Sequence, residues 1–122
     1  MAKEQPSGES LARAAQAYID IHSRDKFSLE EISGALYVNG SYLMRAFKRY
    51  LHMTPLAYHH MVRCGKAKEL LVHTDRSISE VGETVGFVSS SHFSHVFRKT
   101  EGCTPSEYRI LHQRDDREDT KQ

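Results

Sequence analysis

One sentence is written twice in this chain. "YVNGSYLMRAFKRYLHMTPLAYH", residues 37–59, returns in altered spelling as "GFVSSSHFSHVFRKTEGCTPSEYR", residues 86–109. Ser28 and Glu31 stand at the spacing of a helix-starting capping box, and Ser77 with Glu80 repeats it 49 positions later. Ile78, Val81 and Val85 match Leu29, Ile32 and Leu36 at that same offset. Beyond them the offset becomes 50: Phe97 matches Phe47, Arg98 and Lys99 match Lys48 and Arg49, and "CTPSEY" matches "MTPLAY". The second turn is therefore one residue longer than the first. Caps, core positions and cations that recur together predict two homologous lobes rather than a chance likeness.

The apolar spacing in each lobe is helical. Leu11, Ala15, Tyr18 and His22 predict a first helix with Ser10 as its cap. A second runs from Leu29 to Leu36; "YVNGS" breaks it, and Asn39 is suited to cap a third over residues 41–51. Thr54-Pro55 and Thr104-Pro105 each read as a cap followed by proline at the first helical position. Residues 55–73 predict one long connecting helix, with Gly65 as a point where it can kink. The expectation is an all-α fold of about seven helices, two helix-turn-helix subdomains joined by a linker helix. Its parts are a disordered tail over 1–9, a first subdomain over 10–53, the linker over 54–74, a second subdomain over 75–112 and a disordered acidic tail over 113–122.

At 122 residues the chain is small enough for one body with two lobes. It has no apolar run of membrane-spanning length and no signal core, so a cytoplasmic protein without membrane contact is expected. Its two cysteines, Cys64 and Cys103, form no CxxC pair, and the pairs His92/His95 and His60/Cys64 lack a third ligand; neither metal nor cofactor is expected. An enzyme is not indicated either. There is no phosphate loop or glycine-flanked nucleophilic serine, and the serines at 89–91 sit where a turn meets a helix.

The formal charge of +1 conceals an uneven distribution. Residues 11–114 hold 14 Lys and Arg against 10 Asp and Glu, while the two ends hold 3 against 6. Advancing about 100° per residue along the third helix places Leu43, Ala46, Phe47 and Tyr50 inside and Ser41, Arg45 and Lys48 outside. The repeat places Phe93, Val96 and Phe97 inside and Ser91, His95 and Arg98 outside. Small polar residues followed by donors and cations are what a helix needs to approach base edges in a major groove and hold the flanking phosphates.

These stretches, with "ISEVGETVGFVSSSHFSHVFRKTEGCTPSEYR" and the linker "RCGKAKELL", resemble the AraC/XylS family of bacterial transcription regulators over roughly residues 11–110. The resemblance implies seven helices and two recognition helices that enter successive major grooves of double-stranded DNA at a bipartite promoter site. It implies base-reading by Ser41, Met44 and Arg45 in the first lobe and by Ser90, Ser91 and His95 in the second. Asn39, Lys48, Arg49, Ser89, Arg98 and Lys99 are the expected phosphate contacts. RNA polymerase is the implied protein partner and the nucleoid the implied place of action; two reading heads on one chain make a dimer unnecessary. The chain departs from the family pattern at His52, where a glycine is usual, at His95 for arginine and at Gly82 for alanine. A helical protein-interaction module that kept the fold without DNA binding is the alternative.

Overall fold

Ser7 sets where the first helix begins. In the computed structural model of the chain, which describes residues 7–120 and side chains up to residue 113, Ser7 accepts from Ser10 N–H and opens α1 (Gly8–Ile21). The cap is thus Ser7 rather than Ser10, and residues 8 and 9 are helix rather than tail; residues 1–6 of the expected tail lie outside the described part. Ser28 then starts α2 (Leu29–Ala35), and Asn39 starts α3 (Gly40–Leu51). α4 (Pro55–His73) is one continuous helix through Gly65. Ser77 starts α5 (Ile78–Thr84), Ser89 starts α6 (Ser90–Glu101), and Thr104 precedes α7 (Pro105–Thr120). All seven elements of the described residues are helices.

The chain forms two compact units whose boundary falls inside α4, between His59 and His60. In the first, α1 packs on α3 and α2, and Leu11, Ala15, Ile19, Ile32, Leu43 and Phe47 are buried together. Tyr58 closes that core: its ring lies 5.8 Å from the Phe47 ring and its hydroxyl donates to Asp20 Oδ1 at 2.7 Å. Burial, and then that carboxylate, push the Tyr58 phenol up to about 12. Two sequence expectations fail here. The buried stripe of α1 runs through Ile19 instead of Tyr18 and His22, and Tyr50, assigned to the core, is 37% exposed.

The second unit is built the same way. Cys64, Ala67 and Leu71 of α4 pack with Val81, Val85, Phe87, Phe93, Val96 and Phe97. Tyr108 lies 5.7 Å from the Phe97 ring, as Tyr58 does beside Phe47. Gly82 is required by Phe93: a Cβ at 82 would come within 2.7 Å of the ring, so the alanine usual there has no room.

α7 extends to Thr120 where a tail was expected from 113. Thr104 and Glu107 bond reciprocally, Glu107 N–H to Thr104 Oγ1 at 3.1 Å and Thr104 N–H to Glu107 Oε1 at 2.9 Å. The helix so started meets neither glycine nor a second proline up to residue 120. Its side chains also cap another helix. Arg109 donates to the carbonyls of Leu71 at 2.9 Å and Thr74 at 3.2 Å, and Gln113 to those of Val72 and Thr74. Of the last carbonyls of α4, which have no partner within their own helix, those of Leu71 and Val72 are satisfied by α7, as is that of Thr74 just beyond.

Candidate nucleic-acid interface

Each unit holds a helix, a short turn and a second helix: α2 and α3 separated by residues 36–39, α5 and α6 by residues 85–89. The turns close alike. Val38 N–H bonds Ser33 C=O at 3.0 Å, and Phe87 N–H bonds Gly82 C=O at 2.9 Å, 49 positions on. The inserted residue is Val88, which is 98% exposed, so the extra length bulges into solvent and leaves the core register intact. Tyr37 and Gly86 occupy the left-handed position of these turns, at φ 59° and 116°. His52 and Gly102 do so where α3 and α6 end, and each N–H bonds back to the fourth residue before it. His52 therefore adopts the conformation that glycine supplies in the second unit.

Asn39 caps α3 by accepting from Ser41 N–H at 2.7 Å and Tyr42 N–H at 3.3 Å. Its side-chain NH2 is left to donate outward. Ser89 caps α6 by accepting from His92 N–H at 3.0 Å, which leaves its hydroxyl proton to donate. Along α3, Ser41, Arg45, Lys48 and Arg49 are exposed and Met44 is half-buried. Along α6, Ser90, Ser91, His95, Arg98 and Lys99 are exposed.

The structure brings Asn39, Ser41, Met44 and Arg45 to one open concavity of about 530 Å³, floored by Leu29 and Gly40. Arg45 also lines a second, neighbouring groove with Arg49, so it stands on the ridge between two troughs. Ser91, His95 and Arg98 follow one another at spacings of 4 and 3, one stripe of α6.

Charge reinforces the geometry. α3 carries three cations and no acid, and Arg45, Lys48 and Arg49 form no ion pair among the described residues. The acid of α6, Glu101, is turned onto Lys68 of α4 at 3.1 Å; that bond raises the Lys68 ammonium above its usual range and removes the carboxylate from the exposed stripe.

The histidine and cysteine pairs take up other roles. The His60 and His92 rings lie 6.1 Å apart around Phe87. Burial, followed by His92, Arg63 and Lys99, pushes the His60 imidazolium below its usual range. Cys64 is fully buried, and burial pushes its thiol up to about 11. A buried thiol held protonated is a poor metal ligand. Sequence reasoning missed Tyr50, whose ring lines the second groove. The signal available was that its counterpart in the repeat is Thr100, a residue no core demands.

A domain family described as "Helix-turn-helix domain" matches residues 32–110. The chain is 34% identical over 103 residues to an HTH-type transcriptional regulator, YisR, of Bacillus subtilis, covering 84% of this chain and 36% of that protein. Among solved structures, it is similar to the C-terminal domain of AraT, a response regulator from Geobacillus stearothermophilus, with TM-score 0.78, 34% identity and coverage of 83% and 84% of the two chains. It is also similar to the DNA-binding domain of AdpA, a global transcriptional factor solved with a target DNA, at TM-score 0.78, 27% identity and coverage of 86% and 94%. The chain spans about a third of the length of the curated relatives it matches. Duplicated motif, seven helices, acid-free α3 and the matched family agree: the chain belongs to the AraC/XylS family of helix-turn-helix transcription regulators, of which it carries the DNA-binding part.

Proposed function

We propose that this protein binds double-stranded DNA sequence-specifically at promoters, inserting α3 and α6 into adjacent major grooves of a bipartite site. The observation that carries this reading is the exposed donor stripe, present in both copies of the motif and backed in each by a phenylalanine core. Ser41, Met44 and Arg45 read bases in one half-site; Ser90, Ser91 and His95 read the other. Asn39, Lys48, Arg49, Ser89, Arg98 and Lys99 hold phosphates and fix the register. Two reading heads on one chain let it act as a monomer, in the cytoplasm on nucleoid DNA, where a promoter-bound regulator meets RNA polymerase.

Arg45 is assigned the dominant specific contact, because a guanidinium can meet a guanine edge in bidentate fashion. Arg45→Ala is expected to cost about 1–3 kcal/mol of binding and to relax preference at one base pair. An affinity loss equal across all sequences would refute base reading by this side chain. The reading as a whole is tested by selecting bound duplexes from a random library. Two conserved blocks about one helical turn apart are expected; recovery of a single block, or of none, would remove the two-groove arrangement.

A further inference from the structure

The groove on the far side of Arg45 belongs to the first unit alone. It is an open trough of about 330 Å³, lined by Gly8, Tyr42, Arg45, Ala46, Arg49 and Tyr50. Tyr50 forms its wall. Its ring rests against the first turn of α1 so closely that a Cβ on residue 8 would come within 2.7 Å of Cε2, and the Arg49 guanidinium lies 5.6 Å from the ring centroid. In the repeat, Tyr50 is replaced by Thr100, which hydrogen-bonds the Cys64 thiol, and Arg49 by Lys99. In the helix ahead of the second motif, α4, the position that corresponds to Gly8 is His60, so the second unit carries no glycine there.

A groove lined by two arginines and two tyrosines suits one class of occupant, a phosphate diester strand. Arg45 is shared between this trough and the one holding Ser41, Met44 and Asn39, so an occupant here lies next to whatever Arg45 reads. We infer that this groove seats the sugar-phosphate backbone beside the base contacted by Arg45, with Tyr50 donating its phenolic hydrogen to a phosphate oxygen and Arg49 supplying the charge. The inference rests on the DNA-binding reading and adds Tyr50, anchored by Gly8, as a positioning residue. It also makes the first unit the more firmly held of the two.

Tyr50→Phe tests it, since the ring that packs on α1 is kept and only the hydroxyl is removed. Binding is measured for the wild type, Tyr50→Phe and Arg49→Ala, on a library-selected duplex and on a random duplex, at two salt concentrations, with a thermal melt to verify that each variant folds. Tyr50→Phe is expected to weaken binding about fivefold on both duplexes, as loss of one uncharged donor to a phosphate would. Its salt slope should equal that of the wild type, whereas Arg49→Ala should lose about one unit of slope. Wild-type affinity in Tyr50→Phe on both duplexes overturns the inference and leaves the DNA-binding reading standing. No duplex binding by the wild type overturns both.

Discussion

Four residues share an unusual backbone conformation, and the repeat divides them cleanly: Tyr37 and His52 in the first unit, Gly86 and Gly102 in the second. A side chain in the left-handed region costs about 1–2 kcal/mol, partly returned because glycine leaves a freer unfolded chain. Tyr37→Gly and His52→Gly are each expected to stabilise the protein by about 0.5–1 kcal/mol, read as a rise in the midpoint of chemical denaturation. Both side chains are exposed, so little packing is lost with them. Gly82→Ala works the other way: overpacking Phe93 should cost about 1–3 kcal/mol, and a neutral result would mean the ring has room to retreat. Sequence alone marked His52 and Gly82 as departures without saying what they do. Their meaning depends on a φ angle in one case and on the distance to a ring in the other, and neither is written in residue identity. The exposed stripe of α3 was legible because it needs only the helical period. Tyr50, at the frayed edge of that stripe, was misplaced for the same reason: periodicity cannot see α1 arriving beside it.

Helix starts were the most legible elements. Ser28, Asn39 and Ser77 cap as their positions predict, Ser89 caps α6 where no cap had been assigned, and α5 has the full reciprocal box, with Ser77 N–H donating to Glu80 Oε1 at 2.9 Å. Helix ends and partners were less so. Nothing in "SEYRILHQ" announces that Arg109 and Gln113 reach the end of α4, more than thirty residues earlier. Arg109→Ala removes a charged donor from two carbonyls and is expected to destabilise the protein by about 1–3 kcal/mol, with increased amide exchange at the last turn of α4 as the local signature. Unchanged exchange there would show that water replaces the guanidinium at no cost. Acid acts on the same helix: the bond from Thr104 N–H holds the Glu107 carboxyl below its usual range. The stability from this box is therefore present above the ordinary carboxylate range and is lost as pH falls through the lowered value.

Seen whole, the duplication is larger than the sequence revealed. Ala15 and Ile19 of α1 correspond to Ala67 and Leu71 of α4 at an offset of 52, all buried. The seven-residue link 22–28 against the four-residue link 74–77 shifts the register by three and hides this helix from any search at 49 or 50. Each unit is thus a helix, a helix-turn-helix and the opening turns of another helix, and α4 serves both, its start closing one core and its remainder founding the next. Protonation weighs on the second unit. His60 is depressed by burial and by His92, Arg63 and Lys99, so its folded form binds a proton less readily than the unfolded chain does. Stability should be intact above the ordinary imidazole value of about 6.5 and decline as pH falls below it. His60→Gln should flatten that decline in melts run between mildly alkaline and mildly acidic buffers; an equally steep decline would assign it to other histidines.

The fully buried Cys64, protonated throughout the neutral range, has a practical corollary. A maleimide dye attacks thiolates, so the native protein should accept one label, at the partly exposed Cys103 just beyond α6, and a second only in denaturant. Intact-mass counting would verify the stoichiometry. The unmutated chain thereby offers a site-selective fluorescent handle just beyond the C-terminal end of α6.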